Sequence, residues 1–81
     1  MEIIINGQEA CDKLKVLQVF QNTFEEMYSL NYDALIDVLT SAKEFIKIII
    51  INSLSIECIN DLKETLDIIC NENHHISYIC K

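Results

Sequence analysis

Phe45-Ile46-Lys47-Ile48-Ile49-Ile50-Ile51 is the stretch that decides the fold. Branched side chains at every position but two favour an extended, pleated backbone over a helix. Four consecutive isoleucines leave no polar alternation. That pattern suits a strand covered on both faces and flanked on both edges, as in the middle of a parallel sheet. The run is too short to span a bilayer.

A central parallel strand needs two neighbours and the helices that carry the chain between them. Glu2 to Ile5 reads as one strand, closed by the turn pair Asn6-Gly7. Ile76 to Cys80 reads as the other. Asp12 can cap a helix running to about Phe24, and Leu17, Phe20, Phe24 and Met27 recur at helical spacing as a core stripe. Glu25 to Leu30 connects to a central helix that starts at Asn31. After Asn52 to Ser55, a turn, the last helix carries Cys58, Leu62, Leu66, Ile69 and Cys70 on one stripe. Ser55 and Asn60 are alternative caps for it, and Asn73 is a left-handed stop. The order is β-α-α-β-α-β. Right-handed crossovers between parallel strands, with the second strand central, predict a two-layer α/β fold with sheet order 1-2-3.

The chain has 81 residues and forms one domain, 1–81. A chain of this size buries only about 60% of its extended surface, and a hydrophobic content of 51% compensates. With no Pro and one Gly, there is little room for linkers. The formal net charge is −7, with six Lys and no Arg. Nucleic-acid binding requires a basic footprint, and anionic membranes repel such a chain. The expected partner is a basic protein, and the expected free state is a monomer. Residues 16–42 contain no Lys or Arg but carry Glu25, Glu26, Asp33 and Asp37, so that lobe should steer a cationic partner. Glu25 and Glu26 lie against the dipole preference expected near a helix end. No basic, apolar leader opens the sequence, so a cytoplasmic protein with reduced Cys11, Cys58, Cys70 and Cys80 is expected.

The central helix is Asn31-Tyr32-Asp33-Ala34-Leu35-Ile36-Asp37-Val38-Leu39-Thr40. Asn31 is a good N-cap. Tyr32, Leu35, Ile36 and Leu39 form an apolar stripe at i, i+3, i+4 and i+7. Asp33 and Asp37 stack at i, i+4 on another side, about 5–6 Å apart at Cβ. Asp33 is favoured by the positive end of the helix dipole. Asp37 has no such support and repels Asp33 by a few tenths of a kcal/mol. The pair is either a solvated face or a surface kept for a partner.

Element order, size and this stretch together resemble the barstar family, small intracellular inhibitors of barnase-like ribonucleases. That family carries Asn-x-Asp-Ala-Leu-x-Asp-x-Leu-Thr in its second helix. Asn31, Asp33, Ala34, Leu35, Asp37, Leu39 and Thr40 fit that pattern, and Ile5-Asn6-Gly7 adds a supporting match. The resemblance implies a barstar-like fold and an inhibitor that plugs a guanyl-specific ribonuclease with its second helix and the preceding loop. The aspartate matching Asp37 takes the place of a substrate phosphate among cationic side chains, with Asp33 beside it. The implied contact set is Tyr28, Ser29, Leu30, Asp33, Ile36, Asp37, Thr40 and Ser41, with no cofactor and no catalysis.

Several positions depart from the family. Ser29 replaces a Gly and Leu30 an acid, and Ile36 stands where Trp is frequent. Ser41, Ala42 and Lys43 follow Thr40 in place of Gly and an aromatic, and Lys43 brings a positive charge to the interface edge. A further acidic contact falls near Asp67 or Ile68, and a shorter connection after the second strand implies that a minor helix is missing.

Other chemistries fit less well. Cys70, His74, His75 and Cys80 lack the paired spacing of zinc sites. One Gly cannot build a phosphate loop. An acyl carrier would need an all-helical bundle, which the isoleucine strand opposes.

Overall fold

The computed structural model describes all 81 residues. In chain order the elements are β1 (Glu2–Asn6), α1 (Lys13–Thr23), α2 (Tyr32–Thr40), β2 (Ile46–Ile51), α3 (Ile59–Glu72) and β3 (Ile76–Cys80). A single 3₁₀ turn, Ser53–Ser55, lies between β2 and α3 where the shorter connection was expected. The three strands form one parallel sheet of order β1-β2-β3. The class is therefore α/β with the expected order of elements, and β3 has the bounds that its sequence suggested. No helix is long and apolar enough to cross a membrane.

The isoleucine strand is central, but it is covered on one face only. Ile46, Ile48 and Ile50 are buried, whereas Lys47 is exposed and Ile49 and Ile51 are half-buried. The expectation of burial on both faces is corrected by the topology itself. In a sheet of order 1-2-3, two right-handed crossovers both pass over the same face. Ile3 and Ile5 of β1, with Ile76 of β3, join Ile46, Ile48 and Ile50 under the helices. Val16, Leu17 and Phe20 of α1, Leu35 and Leu39 of α2, and Leu62, Leu66 and Ile69 of α3 pack on them, and Ala10, Phe24, Met27 and Ile56 from the connections complete the core. Burying each such side chain contributes roughly 1.5–3 kcal/mol.

Local signals set most of the boundaries. Asp12 caps α1 by accepting from the Lys15 amide at 2.9 Å, and Phe24 is the C-cap. Met27 is buried, as its spacing predicted, but it lies beyond the helix. Glu25 and Glu26 are exposed in the turn after the cap rather than at the helix end. Phe45 precedes β2 and is exposed. Neither Ser55 nor Asn60 caps α3: the N-cap is Cys58, which offers no side-chain hydrogen bond. Ser55 is still inside the 3₁₀ segment, and Asn60 already lies within the first turn of the helix, so neither stands at its start. Asn73 ends α3 in an extended conformation, φ −135°, not a left-handed one. The one left-handed residue is Asn52, φ 52°, in the turn leaving β2.

Candidate functional site

The site is built on α2, and both of its ends are tied down. At the start, Asn31 accepts from the Ala34 amide at 2.7 Å, which satisfies one orphan donor of the first turn. At the finish, the Asn73 side-chain amide donates to the Leu39 carbonyl at 2.9 Å and the Ala42 carbonyl at 2.8 Å. Leu35 and Leu39 anchor the helix in the core. Leu35 and Leu39 face inward, so helical geometry turns Asp33 and Asp37 outward, and both are exposed.

The other expected contact residues divide into two groups. Tyr28 is 88% exposed, and Ser29 and Ser41 are exposed as well. Phe24 and Met27 are buried, and the Gln21 side-chain amide donates to the Met27 carbonyl at 3.1 Å, so the connection is held just before Tyr28. Leu30 and Ile36, by contrast, are partly buried and pack against the core. Thr40 is half-buried, and its hydroxyl donates to the Ile36 carbonyl within α2. Its donor is thus already used inside the helix. The outward face is therefore acidic at Asp33 and Asp37 and ends at Ser41, with Tyr28 and Ser29 leading into it.

Beside Asp37 lies a cleft of about 690 Å³. Phe24, Val38, Ala42 and Ile46 give it apolar walls, and Glu26, Asp37, Glu44 and Lys43 give it charge. Three carboxylates against one ammonium leave it net negative. Sequence reasoning identified Asp37, Ser41 and Lys43 but not Val38 or Glu44. Val38 lies on the flank of α2, whereas Ala42 lies just past the Ser41 cap, so no helical spacing links the two in the sequence.

Tyr32 faces the start of α3. Its hydroxyl is buried and makes no hydrogen bond of ordinary geometry. Burial raises its pKa well above the usual tyrosine value, and the neighbouring Cys58 thiol and Asp61 carboxylate add to the effect. The Lys13 ammonium stands over the Tyr32 ring, 4.8 Å from its centre. Asp67, the candidate extra acidic contact, accepts from the Tyr78 hydroxyl at 2.6 Å, and that bond raises the Tyr78 hydroxyl above its usual range. Its neighbour Ile68 is 48% exposed. Burial, then the nearby Asp67, pushes the Cys70 thiol up and favours its neutral form.

The four cysteines are unpaired and partly buried. No cluster of three or more His, Cys, Asp or Glu side chains has the geometry to hold a metal ion. What the site offers chemically is a fixed anionic surface with an apolar-walled cleft at one end. No family model matches the sequence, and no curated protein matches it.

Proposed function

We propose that this protein is an intracellular inhibitor of a small, secreted, barnase-like ribonuclease, and that α2 acts as the plug. The observation that carries the reading is the pair of exposed carboxylates, Asp33 and Asp37, on a helix tied at both ends. A ribonuclease cleft must be cationic to bind RNA. A rigid helix that presents two carboxylates, their Cβ atoms about 5–6 Å apart, imitates consecutive anionic groups of that substrate. Because the helix is held before binding, little ordering entropy is lost on association. Asp37 takes the phosphate position, Asp33 the neighbouring one, and Tyr28 stacks beside them. Such an inhibitor acts in the cytoplasm. The order of elements and the Asn31–Thr40 motif support the same assignment by resemblance to the barstar family.

The test is RNA cleavage by guanyl-specific ribonucleases titrated with the protein and, in parallel, with Asp37→Ala. Stoichiometric inhibition that the variant loses supports the proposal.

A second reading has its own observation. Leu30 and Ile36 pack inward, and Lys43 lines the cleft beside Asp37. The contact surface therefore differs from the family's aromatic and acidic one, and a different basic protein is its partner under this reading. Absence of inhibition across several such ribonucleases would favour this reading over the first.

A further inference from the structure

The face of the sheet opposite the helices is uncovered. Glu2, Lys47 and Ser77 stand side by side in one row of the register, and all three are exposed. Two residues further along, Ile4, Ile49 and Ile79 form the next row. Ile4 is 59% exposed, Ile79 is 38% exposed and Ile49 is half-buried. Met1 and Phe45 are also exposed and flank the start of the sheet, where the Met1 amino group donates to the Phe45 carbonyl at 3.0 Å. An isoleucine row across all three strands is costly to leave in water, at roughly 25 cal/mol per Å².

We infer that a second copy of this chain covers this face, making a weak two-fold dimer. The charge pattern selects a second copy as the occupant. A two-fold axis in the interface, parallel to the strands and midway between β1 and β2, lays β1 of each copy over β2 of the other. Ile4 then meets Ile49, and Glu2 meets Lys47, each pair occurring twice. The pattern is self-complementary, as an isologous contact requires. Sheets packed this way lie about 10 Å apart with strands rotated by about 30°. The helix layers, with their acidic α2 faces, point away from the contact on both sides. Their mutual repulsion is screened beyond about 10 Å at 0.1 M salt.

The area sets the strength. The overlap is two strands, β1 on β2 and β2 on β1, about 10 by 17 Å, with Ile79 of β3 at its margin. This falls short of the roughly 800 Å² per partner typical of stable complexes. A contact of this size is weak, so association is expected only toward the upper end of attainable protein concentrations.

Sedimentation equilibrium from about 10 μM to about 1 mM tests the dimer. The weight-average mass of the full chain should rise from 9.4 kDa toward twice that value and no further. Ile4→Lys, at an exposed position, should hold it at one chain. Lys47→Glu should weaken association at least tenfold, and Glu2→Lys with Lys47→Glu should restore it. Far-UV circular dichroism checks that each variant keeps its fold. A flat mass up to about 1 mM would overturn the inference. So would association that Ile4→Lys leaves intact, growth past two copies, or a charge swap that restores nothing.

Discussion

Asn73, the residue that ends α3, donates its side-chain amide to the Leu39 carbonyl of α2 at 2.9 Å, 34 residues earlier in the chain. It also reaches Ala42 at 2.8 Å, and its side-chain oxygen accepts from the His75 amide at 3.0 Å. One side chain thus closes the end of α2 and aligns the entry to β3. Helix ends leave their last carbonyls without partners, and here the partner comes from another element. Asn73→Ala should cost about 1–3 kcal/mol in urea unfolding, the usual consequence of leaving such groups unpaired. Asn73→Asp should cost at least as much, because it sets a carboxylate against the negative end of a helix.

The two aspartates should separate stability from binding. Both are exposed, so Asp33→Ala and Asp37→Ala should change unfolding free energy by no more than about 0.5 kcal/mol. If the proposed function holds, Asp37→Ala weakens the complex by more than about tenfold, or 1.4 kcal/mol, and by more than Asp33→Ala does. Calorimetric titration against the ribonuclease measures the difference; equal, undiminished affinities would contradict the phosphate role.

Association should also slow as salt rises. Residues 16–42 carry four carboxylates and no Lys or Arg within a chain of net charge −7, and exposed charges are screened over about 10 Å at 0.1 M. Stopped-flow association rates across a salt series test this, and a flat series would remove the steering role of the acidic lobe.

Tyr32→Phe should stabilise the protein by about 1 kcal/mol, since it deletes a buried hydroxyl that has no partner. Tyr78→Phe should destabilise it by about 0.5–1.5 kcal/mol, since it deletes the bond to Asp67. Both hydroxyls hold their protons more tightly in the folded chain than in the unfolded one. Their titration therefore leaves stability unchanged below about pH 10, the ordinary tyrosine value, and lowers it as pH rises above that, where the unfolded chain ionises first. Urea midpoints should fall from pH 9.5 to 11.5, and each Phe variant should flatten that fall.

Gly7 has a steric role that is separate from α2. A Cβ there would run into the main-chain oxygen of Asn52, which is itself left-handed. Gly7→Ala should cost about 1–3 kcal/mol by forcing the two turns apart. Asn52→Gly should cost less, about 0.5–1.5 kcal/mol: its φ of 52° suits glycine, but the bond its side-chain amide donates to the Asn6 side chain at 2.9 Å is lost. Thermal unfolding of the two variants distinguishes these outcomes.

Much of this protein was legible in the chain itself. The Asp12 and Asn31 caps, the stripe of Leu35 and Leu39, the bounds of β3 and the outward pair Asp33 and Asp37 all rest on contacts within one or two turns or on alternation along one strand. Such signals are local, and spacing alone carries them. Tertiary structure decided the rest. The sequence of β2 cannot say which of its faces is covered, because the handedness of two crossovers settles that, and it leaves Ile4, Ile49 and Ile79 on the open side. The cap of α3 depended on how the chain left the 3₁₀ turn. The cleft beside Asp37 depended on bringing Phe24 and Glu26 near Val38 and Glu44. Asn73 has an ordinary composition and no periodic mark. Its hold on Leu39 exists only because α3 returns the chain to the end of α2, which no local spacing encodes.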